Sequence, residues 1–116
     1  MRKILLAAMA ASLTVNSCAD TDKKAKNEKE QKAKEMLSTN RCLTCHSYSE
    51  VINGPSYKDI ATRYAGRPDT IVSHLVRKVI KGGGGEWGEI YMTPQSHVSQ
   101  ADAEVMVRYI LSLKNR

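Results

Sequence analysis

The chain has no Phe, one Trp and three Pro among its 116 residues. With aromatic side chains at 5% of the total, rings alone cannot fill a core. Three cysteines are an odd number, which argues against a closed framework of disulfides. No apolar run is long enough to span a bilayer comfortably, since the stretch from Ile4 to Val15 is too short. No segment reads convincingly as a strand, and no internal repeat is visible. Residues 36–116 hold ten Lys and Arg against seven acids, a small basic excess. Nothing there resembles a stacking or groove-reading module, which excludes a nucleic-acid partner.

What is present begins with an export signal. Arg2 and Lys3 form a basic head, and Ile4 to Val15 form an apolar stretch of signal-peptide length. Val15-Asn16-Ser17-Cys18 closes it and resembles a bacterial lipobox, with Asn16 departing from the usual small or hydroxyl residue. Residues 1–17 are therefore expected to leave as a signal peptide, and Cys18 to become a lipid-bearing N-terminus. The alternative is ordinary cleavage nearby, leaving a free thiol. Residues 18–35 hold six Lys against five acids and no apolar stripe. They read as a solvated, partly helical spacer that gives a tethered domain reach. The folded domain is expected over residues 36–116, a length that usually needs a staple.

Cys42-Leu43-Thr44-Cys45-His46 supplies one. Cys-x-x-Cys-His is the attachment signal for a c-type haem: each thiol adds across one vinyl group, and the histidine reaches the iron from one face. On a helical turn, positions i, i+3 and i+4 share one side. A thioredoxin-like pair would need a βαβ context, and a structural zinc site a second Cys/His pair; neither is visible. The scarcity of aromatic residues agrees with a core built partly around such a cofactor.

The rest reads as helices. One starts to pack near Lys34, uses Met36 and Leu37, and is expected to run into the haem motif. Asn53-Gly54-Pro55 is a turn, and Tyr57 to Ala65 a short helix ended by Gly66. Pro68 and Asp69 open the next, where Ile71, Val72, Leu75, Val76, Val79 and Ile80 recur at helical spacing. Gly82 to Gly85 stop it, and a loop carries Trp87 and Tyr91-Met92-Thr93-Pro94. Ser99-Gln-Ala-Asp102 is a capping box for a last helix with Val105, Met106, Tyr109, Ile110 and Leu113 inward.

A proximal His46 leaves one axial position on the iron. Met36 is too near the motif in sequence, and Met106 belongs to a core stripe. Met92 lies in an irregular loop that can wrap the opposite face and offer a thioether. His97 is its rival, and His74 reads as a surface or satisfied histidine.

Residues 34–116 resemble a short bacterial class I cytochrome c of the c-551/c-552 type. The resemblance rests on Cys42 to His46, Asn53-Gly54-Pro55-Ser56-Tyr57-Lys58-Asp59, Ala65-Gly66, Gly85 to Pro94, Val98-Ser99 and the last helix. It implies an all-α fold of about four helices around one covalent haem c. It makes Cys42 and Cys45 the thioether anchors, His46 the proximal ligand and Met92 the distal one. Pro55 matches the proline whose carbonyl accepts the imidazole N–H, and Trp87 the tryptophan whose indole approaches a haem propionate. Three positions depart from the pattern: Arg41 stands where Gly or Ala is common, Met36 and Leu37 replace an aromatic in the first helix, and Tyr91 replaces a proline beside the distal Met.

The implied function is single-electron transfer between respiratory redox partners in the periplasm, from a protein tethered to a membrane through Cys18. No enzyme activity and no small-molecule substrate are expected, because both axial positions are taken. Lys58, Arg63, Arg77, Lys78 and Lys81 are candidates to border the haem edge and steer acidic partners. The alternatives are a haem enzyme or ligand sensor with a labile distal ligand, and a dedicated electron-transfer subunit of a larger oxidase or dehydrogenase.

Overall fold

A computed structural model describes residues 17–116 of the chain. The expected signal segment before Ser17 lies outside the described residues. Helix α1 spans Ser17–Thr39, α2 Tyr57–Arg63, α3 Thr70–Lys81 and α4 Gln100–Leu111. A 3₁₀ turn at Cys42–Thr44 follows α1, and another at Ser112–Asn115 follows α4. Between α3 and α4 stand β1, Gly83–Gly85, and β2, Gly88–Met92. No described helix is long and apolar enough to cross a membrane.

Helix α4 is the hub, packing against α1, α2 and α3. Its Ala103, Met106, Val107, Tyr109 and Ile110 are buried. The stripe expected on α3 is present, with Val72, Leu75 and Val76 inward. The predicted N-cap at Ser99 forms, its hydroxyl accepting from the Asp102 amide at 3.1 Å, and the structure adds a second at Ser56, whose hydroxyl accepts from the Asp59 amide at 3.0 Å. Each satisfies an amide that the first helical turn leaves without an intrahelical partner.

Three expectations are corrected. First, α1 does not run into the haem motif. It stops at Thr39, where the Asn40 side chain donates to the Met36 carbonyl at 2.8 Å. Arg41 then takes a left-handed backbone, φ 58°, before the 3₁₀ turn. A left-handed residue reverses the chain direction without a long loop, at a steric cost that Gly at this position would avoid. Second, the segment after α3 is an antiparallel hairpin rather than a loop, with Gly83 opposite Met92 and Gly85 opposite Gly88. Third, the stretch read as spacer contributes to the core: Ala33 is 1% exposed, as is Leu37 one turn later. An alanine among lysines gives no apolar stripe, yet its small side chain suits a close helix contact.

The same end of α1 is pinned from outside. Arg116 reaches Glu30 at 2.6 Å and Lys34 reaches it at 2.9 Å. Arg116 foremost, with Lys34, holds the Glu30 carboxyl down to about 2. Because packing begins at Ala33, Ala33→Asp is expected to lower stability by about 3 kcal/mol, since it buries a charge without a partner. Exposed Lys32→Asp should change it by less than about 0.5 kcal/mol. Guanidinium unfolding of both variants measures the difference.

Candidate haem site

The first wall of the site is made by residues 41–57. In the turn after Arg41, the amides of Cys45 and His46 both donate to the Cys42 carbonyl, at 3.2 and 3.0 Å. That turn brings Cys42, Cys45 and His46 to one cleft. Both thiols are free; Cys42 is half-buried and Cys45 exposed. Burial pushes the Cys42 thiol above its ordinary value.

The chain then loops back on itself. The Gly54 amide donates to the Cys45 carbonyl at 2.8 Å, and the Tyr57 amide to the Ser47 carbonyl at 2.9 Å. This closure sets the Pro55 carbonyl 2.7 Å from His46 Nδ1. A carbonyl can only accept, so Nδ1 carries the proton and Nε2 keeps its lone pair. The ring is also gripped from its sides. Tyr57 stacks on it at 5.6 Å between centroids and 21° between planes. A Cβ at Gly54 would stand 2.7 Å from His46 Cε1, so only glycine fits there. Ser56, fully buried, locks the following helix by donating to the Asp59 carboxylate at 2.7 Å.

The hairpin makes a second wall. Met92 ends β2 and lines the same cleft as His46. Its backbone lies against Gly82, where a Cβ would collide with the Met92 carbonyl oxygen. The Gln95 amide donates to the Val79 carbonyl at 2.9 Å, tying the segment after Met92 back to α3. Thus Met92 is carried by a hydrogen-bonded ribbon fixed at both ends, which makes up for the missing proline at Tyr91. Met106 also reaches the cleft, as a 2% exposed core residue of α4. His97 is exposed and lies outside the lining.

Between the walls the cleft is apolar, with Leu37, Ile60, Leu75, Val79 and Ile110 among its lining, and its volume is about 1260 Å³ with its open mouth included. Trp87 lines it beneath the Arg63 guanidinium, 4.4 Å from the ring. Of the five cations expected near the edge, Lys78 lines the cleft and Arg63 stands over Trp87, while Lys58, Arg77 and Lys81 are exposed outside the lining. Arg41 lines the cleft as well. Cys18 is exposed at the start of α1, about 22 Å of helix from Ala33.

Four residues of the site were not legible as such: Gly54, Tyr57, Glu86 and His74. Glu86 lines the cleft, accepts from the Tyr64 hydroxyl at 3.2 Å, and pairs with His74 Nε2 at 2.6 Å. Burial alone would raise the Glu86 carboxyl, but His74 and Lys78 outweigh it and hold the group below its ordinary value. Burial, and then Glu86, push the Tyr64 hydroxyl up. Only the hairpin brings His74 and Glu86 together, so no local spacing announces the pair.

The donor set fits a c-type haem. One short segment offers two thiols and an imidazole whose free nitrogen is fixed by Pro55, a flat apolar cleft follows, and a thioether enters from the hairpin. Gly54→Ala tests the fit without the cofactor. Its backbone is ordinary, so the added methyl acts through space alone and should displace the His46 ring. The expected cost is about 1–3 kcal/mol, with loss of the slowly exchanging Nδ1 proton in the nuclear magnetic resonance spectrum.

Comparison with known proteins agrees with this geometry. The family model described as cytochrome c matches residues 30–114. A cytochrome c-551 of Allochromatium vinosum is 44% identical over 72 residues, covering 62% of this chain and 76% of that protein. A cytochrome c-552 of Hydrogenobacter thermophilus is 42% identical over 83 residues, covering 71% of this chain and 83% of that one. The crystal structure of Nitrosomonas europaea cytochrome c552 superposes with a TM-score of 0.66 at 39% identity, over 69% of this chain and 98% of that chain. With both walls of the cleft and these relatives in agreement, the chain belongs to the cytochrome c family, as a small class I member of the c-551/c-552 type.

Proposed function

We propose that this chain carries single electrons on one haem c, with Cys42 and Cys45 as thioether anchors and His46 and Met92 as axial ligands. The observation that carries the reading is the 2.7 Å bond from His46 Nδ1 to the Pro55 carbonyl, which presents Nε2 in a cleft shared with both thiols and Met92. The haem supplies a one-electron ferrous/ferric couple, and thioether ligation favours its ferrous state.

The protein's own groups do the rest. Pro55 fixes the tautomer and direction of His46. The hairpin holds Met92 so that the ligand is not exchanged with water. With His46 and Met92 both holding the haem, no position would be left for a substrate, which suits a carrier rather than an enzyme. The Trp87 indole and the Lys78 ammonium line the cleft and would serve the haem propionates there. Ile90 and Tyr91 on the hairpin line the cleft and are exposed, and Val51 and Ile52, next in sequence to the lining residue Asn53, are exposed as well. These apolar groups, with neighbouring cations, suit a small, short-lived contact with a redox protein bearing acidic groups. A signal peptide ending near Ser17 and lipidation of Cys18 would keep the domain in the periplasm, attached to a membrane as part of a respiratory chain.

Matured in a host that attaches c-type haem, the protein is expected to keep its pigment after denaturation in acid. The ferric form should show the near-infrared sulfur-to-iron charge-transfer band and should not bind carbon monoxide once reduced. Met92→Ala should abolish the band and open the iron to carbon monoxide. Carbon monoxide binding by the unmodified protein would instead support the ligand-sensor reading, and stable co-purification with an oxidase or dehydrogenase the dedicated-subunit reading. Cys18→Ser is expected to move the protein from the membrane fraction to the soluble one, with N-terminal mass analysis showing the missing lipid.

A further inference from the structure

His74 and Glu86 form a hydrogen-bonded pair with one end in the cleft and the other in solvent. His74 Nε2 lies 2.6 Å from Glu86 Oε1, and the two side chains are 38% and 30% exposed. Glu86 lines the cleft beside Trp87, whereas His74 stands behind it on α3 and does not line it. The imidazole can therefore exchange protons with water while its charge is felt inside the cleft through the carboxylate. We propose that His74, acting through Glu86, is a proton-binding site coupled to the electron, so that reduction of this protein takes up a proton and oxidation releases it.

The proposal rests on the haem reading above. Its physical basis is charge compensation. Glu86 places a negative charge at the cleft wall, and a protonated His74 cancels most of it. One electron arriving from a donor protein makes the cleft more negative by one charge. A positive His74 is then favoured, so the imidazole draws a proton from water. When the electron leaves for an acceptor, the proton returns to water. Linkage makes the coupling reciprocal: protonation of His74 favours the reduced state by the same factor that reduction favours protonation.

The surrounding charges leave His74 as the group that changes. From α3, Lys78 approaches Glu86 at 4.0 Å. From the C-cap of α2, the Tyr64 hydroxyl donates to the other carboxylate oxygen at 3.2 Å. Arg63 and Arg67 lie over the Tyr64 ring at 5.9 and 5.7 Å. From α4, which packs on α3, Arg108 is occupied by Glu104 at 2.8 Å and Asp69 at 3.9 Å. Only an imidazole among these titrates between about pH 5 and 8.

The test is a pair of measurements on the holoprotein. The His74 ring resonance is titrated in the ferric and in the ferrous state, and the reduction potential is followed from pH 5 to 9. Proton affinity at His74 is expected to be about threefold higher in the ferrous protein. The potential should fall with rising pH between the two His74 titrations and be flat on either side. His74→Gln should flatten that step, and Glu86→Gln should move it to lower pH. Equal His74 titrations in both redox states, or a step that survives His74→Gln unchanged, would overturn the proposal. The haem reading itself fails separately, by loss of pigment on acid denaturation, and that outcome is visible before any titration begins.

Discussion

One hydrogen bond, from the His46 imidazole to the Pro55 carbonyl, sets the terms for the rest of the site. A histidine on a surface turn has two equivalent-looking nitrogens and a freely rotating ring. Here one nitrogen is committed at 2.7 Å, so the other has a fixed lone pair and a fixed direction. The surrounding chain serves that bond. The Gly54 amide and the Tyr57 amide close the loop that delivers the carbonyl. Glycine at 54 leaves space for the ring, and the Tyr57 ring prevents it from tilting. Ser56 and Asp59 then fasten the whole segment to α2 through a reciprocal cap. Removing any of these would leave the imidazole chemically present but poorly aimed.

The second ligand proposed, Met92, is held by a different device. Met92 has no neighbouring proline on its N-terminal side, and its stiffness comes from strand pairing with Gly83. The close contact of Gly82 with the Met92 backbone explains why the chain spends glycines here. A ribbon with so little side-chain packing depends on its main-chain bonds, and both walls of the cleft are therefore fixed chiefly by backbone groups.

That division explains what could be read from the residues alone. Cys42, Cys45 and His46 are contiguous, so their chemistry is written in five letters. The α3 stripe and the cap at Ser99 are local periodic or positional signals, and the structure has them where expected. The hairpin has no such signal, because Gly83 to Gly85 pair through backbone without alternation of side chains. The left-handed turn at Arg41 was hidden for a related reason: arginine gives no hint of a positive φ. Ala33 was masked by the lysines around it. The meeting of His74 with Glu86 required the hairpin fold, which sequence spacing does not encode.

Helix α1 is unbroken from Ser17 to Thr39, and its last turns belong to the core. A floppy tether over the fifteen steps from residue 18 to residue 33 would reach about 21 Å on average, little different from the same segment as a helix at about 22 Å. Stiffness therefore adds almost nothing to distance. What it changes is freedom of orientation: any torque applied near Cys18 turns the cleft mouth with it. Were the chain held at Cys18, the domain would behave as a lamp on a post rather than a lamp on a cord, and would present its opening to a restricted set of directions.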